Sequence, residues 1–564
     1  MQPLYSFRLP LTLLVILTCC TCARNPVTGK RMLSFMSTKS EIALGQGYDP
    51  EVQATFGVYE DTKLQHFLTE KGMAMAKVSH RPDLPWQFKV VDSPVVNAFA
   101  VPGGYVYFTR GILAHFNSEA QLAGVLGHEI GHVTARHGAR QQTGQILGQL
   151  GLIIGVVAAP ELAQYADIAN QGLGLLFLKF SRNHETESDK LGVEYSTKIG
   201  YDARQMGQFF GTLRRLGEKS GSSEIPAFLS THPDPGDREK KVDLMARALQ
   251  QKNQGTTYSE NRDAYLQMID GMVYGDDPKQ GYVENEVFYH PELKFQFPIP
   301  AGWPHQNSPI QFQMASKDGK AMMLLALAKG TTLDQAAQAT VQQYSLKVLE
   351  SRRTTIDGNP CLVMVSEQVN QQQQQQQAQP VQRSQINTDP KKAPADQKKQ
   401  GGYGQGQRND GKTTPSDRSN GQGGATNGGQ VPAGNAGGNA GGGNAGGNQP
   451  PQQDPNAVRV LTYLIQYNGQ IYALHGLTYA ALFNQYAPQF DRTAQGFRKL
   501  TDPEKINRQP ERIRVKRVTS NMAFSDAMAK FGMPANKMDE LSILNGIEKT
   551  AIVRDGMLLK TIGK

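Results

Sequence analysis

The chain has 564 residues, which exceeds one ordinary domain and predicts two to four folded units, each able to bury its own core. A chain of this length can bury a sizeable core, so it needs no disulfide bonds to stabilise it. Only Cys361 lies beyond the first 22 residues, which excludes a metal site built from cysteines. Much of the net charge of +9 falls after Arg498, where it suits an anionic surface or a solvated face. No aromatic stacking pattern accompanies these cations, which argues against nucleic acid as a partner.

The first 22 residues predict an export signal of the lipoprotein type. Arg8 supplies a positive charge, and Leu9–Leu17 form an apolar run that is too short to span a membrane. The cysteines that follow are typical of a lipidation site, with Cys20 and Cys22 as the two candidates. We therefore expect a lipid anchor at the periplasmic face of the outer membrane, with a plain secretory signal as the alternative.

Residues 23–275 predict a mainly α domain with a small β-sheet. Helical periodicity of apolar residues recurs in Lys63–Val78, Ser118–Arg140, Ser188–Ile199, Ala203–Leu216 and Asp237–Gln251. Strand patterns occur at Trp86–Val91 and at Ala98–Arg110, the latter with a turn at Pro102-Gly103-Gly104. The apolar run Leu150–Pro160 is too short to cross a bilayer and predicts a lid or a core helix.

Residues 282–500 predict a small α+β domain that is interrupted at 370–456. Strand patterns precede the interruption at Ala321–Ala328 and Cys361–Val369, and they resume at Val458–Gln466 with a hairpin turn at Asn468-Gly469. Residues 370–456 contain a glutamine run and Gly-Gly-Asn-Ala repeats, with too few apolar residues to offset their ordering entropy, which predicts disorder. We interpret them as an insertion between strands of one domain; a linker between domains is the alternative.

Residues 510–564 predict a compact C-terminal module. A strand at Arg512–Val518 is followed by helices at Phe524–Phe531 and Lys537–Leu544 and by a strand at Met557–Ile562. This order resembles a LysM-like βααβ module, and the resemblance implies binding to a glycan such as peptidoglycan.

The segment His128-Glu129-Ile130-Gly131-His132 carries the clearest chemistry. Ser118 predicts the N-cap of a helix from Glu119 to about Arg140. The two histidines are four residues apart and project from one helix face, where two imidazoles can hold Zn²⁺. Glu129 lies beside that face and would act as general base toward zinc-bound water that attacks a peptide carbonyl. The pattern predicts a zinc endopeptidase with one Zn²⁺ per chain.

A third protein ligand is expected in the segment Ser181–Asp189. Glu185 is the best candidate, and Asp189, one turn further on, would accept a hydrogen bond from a ligand histidine and fix its tautomer. His184 and Glu187 remain alternatives for the third ligand. His137 drifts off the face of the histidine pair, and we expect it to be a capping or supporting group.

These motifs together resemble the Ste24/HtpX-like zinc peptidases. The run His-Glu-Ile-Gly-His-Val-Thr-Ala-Arg-His is followed about fifty residues later by Ser-Arg-x-x-Glu-x-x-x-Asp. Three segments narrow the similarity to the exported bacterial branch of β-barrel-assembly-enhancing proteases: Asn25-Pro-Val-Thr-Gly29, Asn97–Gly104, and Thr231-His-Pro233 with Arg238. The resemblance covers about residues 22–255.

The resemblance implies a zincin-like fold with His128, His132 and Glu185 as zinc ligands and Glu129 as general base. It also favours Cys22 over Cys20 as the lipidated residue. Ser188 stands where the family usually has Ala, a change between small residues that should not remove the ligand.

Further roles follow from the same resemblance. Asn97, Ala98, Phe99 and Ala100 would form an edge strand that binds extended substrate by backbone pairing, with a buried core strand as the alternative. His232 would reach the zinc in a resting state, and Arg238 would bind substrate or the developing oxyanion.

Two functions are compatible with these features. The first is an exported, lipid-anchored zinc endopeptidase that cleaves unfolded or mis-assembled envelope proteins. The alternative is a periplasmic scaffold or chaperone with a mostly closed zinc site and a tail that binds the cell wall.

Overall fold

The structure is a computed structural model that describes residues 22–143, 180–220, 227–232, 235–253, 255–369 and 456–564. Three predictions lie outside these residues: the signal up to residue 21 with Cys20, the run Leu150–Pro160, and 370–455 of the proposed insertion. Within the described ranges, every helix is too short or too polar to cross a membrane.

The N-terminal part is mainly helical. A short hairpin of β1 (Cys22–Arg24) and β2 (Arg31–Leu33) precedes the helices. The helices are α1 (Thr38–Phe56), α2 (Thr62–Lys77), α3 (Arg110–His115), α4 (Glu119–Thr134), α5 (Arg182–Lys198), α6 (Arg204–Ser220), α7 (Ala227–Thr231), α8 (Pro235–Lys252) and α9 (Arg262–Ile269). Local polar caps set two of their starts: the hydroxyl of Ser118 accepts from Gln121 N at α4, and that of Ser181 accepts from His184 N at α5.

Helix α4 ends at Thr134, six residues before the predicted end. Arg136 adopts φ 60°, a left-handed conformation that stops the helix, and residues 137–143 then resume a helical course. The Arg136 side chain fixes this turn, because its Nε donates to Glu41 at 2.8 Å and its Nη2 donates to Met36 O at 2.5 Å. A residue of α1, remote in sequence, therefore determines where α4 ends.

A three-stranded sheet of β3 (Gln87–Val91), β4 (Ala98–Val101) and β5 (Tyr105–Thr109) packs against the helices in the order β3-β5-β4. Strand β5 pairs in parallel with β3 and antiparallel with β4. Gly103 and Gly104 make the β4–β5 turn with φ values of 92° and 105°, which favour glycine. Strand β4 is an edge of this sheet, and it contacts α4.

Glycines bring α4 and α5 close together at the centre of the core. A Cβ added at Gly127 would lie 3.0 Å from Gly192 Cα, and one added at Gly131 would lie 3.1 Å from Leu191 Cβ. Every residue of α4 is buried. The close approach brings the first turns of α5 beside the last turns of α4.

The second part of the chain is built on antiparallel sheets. A seven-stranded sheet has the order β12-β13-β14-β15-β11-β10-β9, and a four-stranded sheet has the order β16-β8-β7-β6. The strands are β6 (Tyr282–Glu284), β7 (Val287–His290), β8 (Phe295–Pro298), β9 (His305–Ser308), β10 (Gln311–Ala315), β11 (Ala321–Leu327), β12 (Leu346–Ile356), β13 (Asn359–Gln368), β14 (Val458–Tyr467), β15 (Gln470–Tyr479) and β16 (Arg498–Lys499). The accompanying helices are α10 (Leu333–Gln343), α11 (Phe483–Gln495) and α12 (Pro503–Ile506).

Strands β13 and β14 pair directly, although residues 369–457 separate them in the chain. Their antiparallel register runs from Cys361↔Ile465 to Glu367↔Arg459. Strand β15 follows β14 through the turn at Asn468 and Gly469, with φ values of 48° and 77°. Cys361 is 1% exposed, and burial raises the pKa of its thiol to about 12, as befits an inert core residue.

The C-terminal segment consists of β17 (Arg512–Arg517), β18 (Met522–Ala523), α13 (Phe524–Lys530), α14 (Met538–Asn545), β19 (Ile552–Val553) and β20 (Leu558–Gly563). Strand β17 pairs antiparallel with β20. The buried side chains of this C-terminal segment, among them Leu541 and Leu559, belong to the same hydrophobic core as Phe116 and Tyr265 of the helical part. Lys560 is fully buried, and its Nζ donates to the carbonyls of Ala114 and Phe116 at 2.7 and 2.9 Å.

Candidate metal centre

Four buried side chains from three places in the chain converge on one point. His128 and His132 come from α4, Glu185 from α5, and His232 from the residue that follows α7. One ligand atom from each lies within 4.8 Å of the others. In the part of the chain that the structure describes, this group does not include His184 or Glu187, the two alternatives for the third ligand.

The spacing of these atoms fits a single small cation. The two histidine Nε2 atoms are 2.9 Å apart, and Glu185 lies 3.6 Å from His128 Nε2 and 3.5 Å from His132 Nε2. Nδ1 of His232 lies 3.3 Å from His128 Nε2 and 3.1 Å from Glu185 Oε1. Ligands bound at about 2.0 Å in a tetrahedron are about 3.3 Å apart, so the donor set suits Zn²⁺.

Glu129 lies beside this group without joining it. Its Oε1 is 3.7 Å from His232 Nε2, and both carboxylate oxygens are buried without a hydrogen-bond partner among the described residues. Burial raises the pKa of Glu129, although His232 and His128 act in the opposite direction. A buried carboxylate with free lone pairs next to a metal group is poised to accept a proton.

The carboxylate of Asp189 lies behind the first histidine. Its Oδ1 lies 3.0 Å from His128 Nδ1, the ring nitrogen that faces away from the ligand cluster. Burial would raise the pKa of Asp189, but Arg238 and His128 outweigh it and hold the pKa at about 2. The ionised carboxylate accepts a hydrogen bond from Nδ1–H, which leaves the Nε2 lone pair of His128 available to a metal.

The guanidinium group of Arg238 binds two carboxylates in this structure. Its Nε and Nη2 donate to Asp189 at 2.9 and 2.7 Å, and its Nη1 lies 2.9 Å from Glu185 Oε2. The guanidinium therefore positions both carboxylates, and its predicted action on substrate or oxyanion remains a prediction.

His232 is held among acidic groups. Burial would lower its pKa, but Glu185 and Glu129 outweigh this effect and raise it. By contrast, burial lowers the pKa of His132 well below its ordinary value, with His128 and His137 adding to the shift. The neutral form of His132 is the form that binds a metal.

The predicted substrate strand lies at the side of this centre. Ala98, Phe99 and Ala100 belong to β4, the edge strand that contacts α4, and Asn97 immediately precedes it. Asn97 donates its backbone N–H to Thr109 Oγ1 at 3.2 Å, whereas its side-chain Oδ1 is buried without a partner among the described residues. Ala98 and Phe99 are nonetheless buried, at 0% and 6% exposure.

Residues 62–246 match the family model described as peptidase family M48. This segment is therefore similar to the M48 peptidases. The match spans all four residues of the metal group and Glu129, and it confirms both the predicted enzyme class, a zinc metalloprotease, and the predicted zinc cofactor.

The chain is also similar to several curated proteins. The chain is 33% identical over 215 residues to the putative beta-barrel assembly-enhancing protease of Vibrio cholerae, covering 36% of this chain and 44% of that protein. It is 30% identical over 251 residues to the beta-barrel assembly-enhancing protease of Escherichia coli, covering 43% and 50%. It is 34% identical over 194 residues to the mitochondrial metalloendopeptidase OMA1 of Arabidopsis thaliana, covering 34% and 37%. The matches thus span half or less of each of these relatives.

The sequence analysis missed several residues whose side chains support the metal group. Glu187 accepts from Arg140 at 3.1 Å and lies 3.1 Å from His137, and Glu41 binds both Arg81 and Arg136. Glu187 appeared only as an alternative ligand. These contacts join positions 40 to 95 residues apart, and helical periodicity carries no signal for them.

Proposed function

We propose that this chain is a zinc-dependent endopeptidase of the cell envelope that cleaves unfolded or mis-assembled proteins. The observation that carries the proposal is the buried group of two imidazoles and a carboxylate with the unpartnered Glu129 beside it. Relatives named beta-barrel assembly-enhancing proteases support the envelope and the class of substrate.

The proposed ligands are His128, His132 and Glu185, with His232 as a fourth in a resting state. Zn²⁺ held there would polarise a peptide carbonyl and make a bound water more acidic. Glu129 takes the proton from the attacking water and returns it to the leaving amine, because its buried oxygens are unpartnered. Asp189 keeps His128 in the tautomer that binds metal, and Arg238 keeps Asp189 and Glu185 in place.

Substrate is proposed to pair with β4 through Asn97–Ala100. An edge strand has unpaired backbone groups, so an extended peptide can add to it as a further strand. Recognition by backbone pairing selects exposed, unfolded segments more than particular side chains. Arg238 would meet the oxyanion only if its bonds to the two carboxylates rearrange.

The remaining assignments concern location and organisation. We propose that the signal is cleaved immediately before Cys22 or Cys20, so that this cysteine becomes the lipidated first residue of the mature chain. A mass spectrum of the mature N-terminus would identify it. The proposed units are 23–275, 282–500 with its insertion at 370–456, and 510–564. The pairing of β17 with β20 and the two helices α13 and α14 between them support a LysM-like module, with peptidoglycan as its proposed partner.

The first test is cleavage of casein by the wild type and by Glu129→Gln. We expect the variant to retain one zinc per chain by elemental analysis and to lose at least about 100-fold in cleavage rate, because the general base is absent. Glu194→Gln is the matched control, since Glu194 is a partly exposed residue of α5 that pairs with Lys198. Full activity of Glu129→Gln would refute its role as the base.

A periplasmic scaffold or chaperone is the second candidate. The position of His232, within hydrogen-bond distance of Glu185 and of His128, favours a site that is closed at rest. In that case the wild type would bind zinc and yet cleave casein no faster than Glu129→Gln, which the same assay detects.

A further inference from the structure

We propose that His137 and Glu187 form a hydrogen-bonded chain that orients the metal ligand His132, and that Arg140 and Asn25 hold its far end. This inference rests on the proposed function, because it takes His132 as a zinc ligand. It adds two positioning residues behind the second histidine of the metal group.

The contacts form a continuous path away from the centre. Nε2 of His132 belongs to the ligand cluster, and its other ring nitrogen, Nδ1, lies 3.0 Å from Nδ1 of His137. Nε2 of His137 in turn lies 3.1 Å from Oε2 of Glu187. Each of the two imidazole rings thus directs one ring nitrogen toward the metal group and the other toward Glu187.

The protons of this path can be placed in only one way once His132 binds a metal. Nε2 of His132 must then present a lone pair, so its Nδ1 carries the proton and donates to His137 Nδ1. Nδ1 of His137 accepts, so its Nε2 carries a proton and donates to Glu187. The carboxylate at the end therefore fixes the tautomer of both rings.

The surroundings hold His137 in one orientation. The residue is 0% exposed, and the ring of His184 stacks on it at 4.3 Å with an interplanar angle of 16°. Ser188 Oγ lies 3.3 Å from His137 Nδ1, so this nitrogen can accept from two donors. The left-handed turn at Arg136 gives the chain the direction change that precedes His137.

Two groups from different parts of the fold secure Glu187. Arg140 Nη1 donates to Oε2 at 3.1 Å, and Asn25 Nδ2 donates to Oε1 at 3.3 Å. The side-chain Oδ1 of Asn25 accepts from the backbone N–H groups of Val27 and Thr28 at 2.8 and 3.1 Å. The turn that follows β1 is thereby linked to the metal group through Glu187 and His137.

The two ligand histidines are supported by different means. His128 contacts the carboxylate of Asp189 directly, whereas His132 reaches the carboxylate of Glu187 through one further imidazole. A carboxylate behind a ligand imidazole orients the ring and raises its basicity, and its removal typically costs about 10- to 100-fold in metal affinity.

The test is zinc binding by the full-length chain, measured by competition with a chromophoric chelator. We expect His137→Phe to weaken zinc binding by about 10- to 100-fold and Glu187→Gln to weaken it by a smaller factor, because glutamine keeps an acceptor but loses the charge. Glu194→Gln, on the same helix, should bind zinc as the wild type does. The absorption spectrum of the Co²⁺ form should change in His137→Phe and not in the control.

The outcomes separate this inference from the proposed function. Zinc affinities of both His137→Phe and Glu187→Gln within about twofold of the wild type would overturn the chain, whatever the casein assay shows. If His137→Phe does not fold, Glu187→Gln carries the test alone, with the melting temperature of its metal-free form as the reference for a purely structural effect. A wild type without zinc would instead refute the proposed function.

Discussion

The carboxylates at the metal centre differ in their partners, and that of Glu129 has no hydrogen-bond partner among the described residues. Arg238 neutralises Asp189 and also contacts Glu185, while its guanidinium lies 4.3 Å from the ring centre of Phe210. The side chain of Glu129 is only 1% exposed, and within the described ranges neither of its carboxylate oxygens accepts a hydrogen bond. Because an unpaired buried carboxylate is costly, its presence at this position is a sign of chemistry and not of packing.

The contribution of Asp189 to the orientation of His128 can be measured separately from catalysis. We expect Asp189→Asn to lower zinc affinity by about 10- to 100-fold, because His128 loses its ionised acceptor. The free energy of unfolding should also fall by about 3 kcal/mol, since Arg238 is left buried with one carboxylate fewer. Chelator competition and urea unfolding measure the two effects.

Asp243→Asn is a suitable comparison for that variant. Asp243 lies on α8 and pairs with Arg247 on an exposed surface. Its loss should change the free energy of unfolding by less than about 1 kcal/mol and leave zinc affinity unaltered. Equal zinc affinity in Asp189→Asn and Asp243→Asn would contradict the role of Asp189.

At the scale of single elements, the end of α4 depends on one buried ion-pair group. Glu41 of α1 is 1% exposed and accepts from Arg81 Nη2 at 2.6 Å and from Arg136 Nε at 2.8 Å. Arg81 also donates to Val133 O, one of the last carbonyls of α4. The carboxylate therefore ties the C-terminal end of the metal helix to the N-terminal part of the chain.

Substitution Glu41→Gln tests this connection. The guanidinium groups of Arg81 and Arg136 would each lose a buried carboxylate partner, so we expect the free energy of unfolding to fall by about 3–5 kcal/mol. Urea unfolding of the metal-free chain is the measurement. Glu51→Gln, at an exposed position of the same helix, should change it by less than about 1 kcal/mol, and a similar small loss in Glu41→Gln would contradict the argument.

The residues at which helices and strands begin were easier to predict from the sequence than the residues at which they end. They were also easier to predict than whether a helix forms at all. The N-cap at Ser118 and the turn at Asn468-Gly469 are local signals, and both occur in the structure. The end of α4 depends on Glu41, which lies 95 residues from Arg136, so a local pattern could not indicate it. Helix α1 was not predicted, because Pro50 and many polar residues interrupt its apolar pattern.

The site shows the same division. The spacing of His128, Glu129 and His132 indicated a shared helix face. Glu185 was the best candidate for the third ligand within its segment, and the family resemblance then favoured it over His184 and Glu187. The support from Asn25, Glu41 and His137 depends on tertiary contacts between separate segments. Such contacts have no counterpart in periodicity or composition.

At the scale of the whole molecule, the C-terminal segment shares a core with the helical part. The sequence predicted 510–564 as a module, but its burial against α3 and α9 is a property of the assembled fold. Lys560 marks this contact, because its amine donates to the two carbonyls at the end of α3. Burial lowers the pKa of Lys560 well below its ordinary value.

The lowered pKa of Lys560 makes stability depend on pH. Between the lowered pKa of the folded state and the ordinary value of the unfolded state, the unfolded chain binds the additional proton, so stability rises with pH. We expect the contribution of Lys560 to stability to rise between pH 7 and pH 9, by at most about 1.4 kcal/mol per pH unit. Urea unfolding at the two pH values measures it.

Lys560→Met should remove this part of the pH dependence. Lys530→Met is the comparison, because Lys530 is an exposed residue of α13. The same slope of stability against pH in the wild type and in Lys560→Met would show that the buried amine stays protonated.

The direct pairing of β13 with β14 has a consequence for chain length. Since the polypeptide leaves one strand and returns on its neighbour, the entropy of closing the connection grows only with the logarithm of its length. Replacing residues 369–457 by a four-residue turn would change that closure term by only about 3 kcal/mol. The sheet therefore tolerates great variation in the size of this connection, and evolution can lengthen or shorten it while every backbone hydrogen bond between the two strands persists.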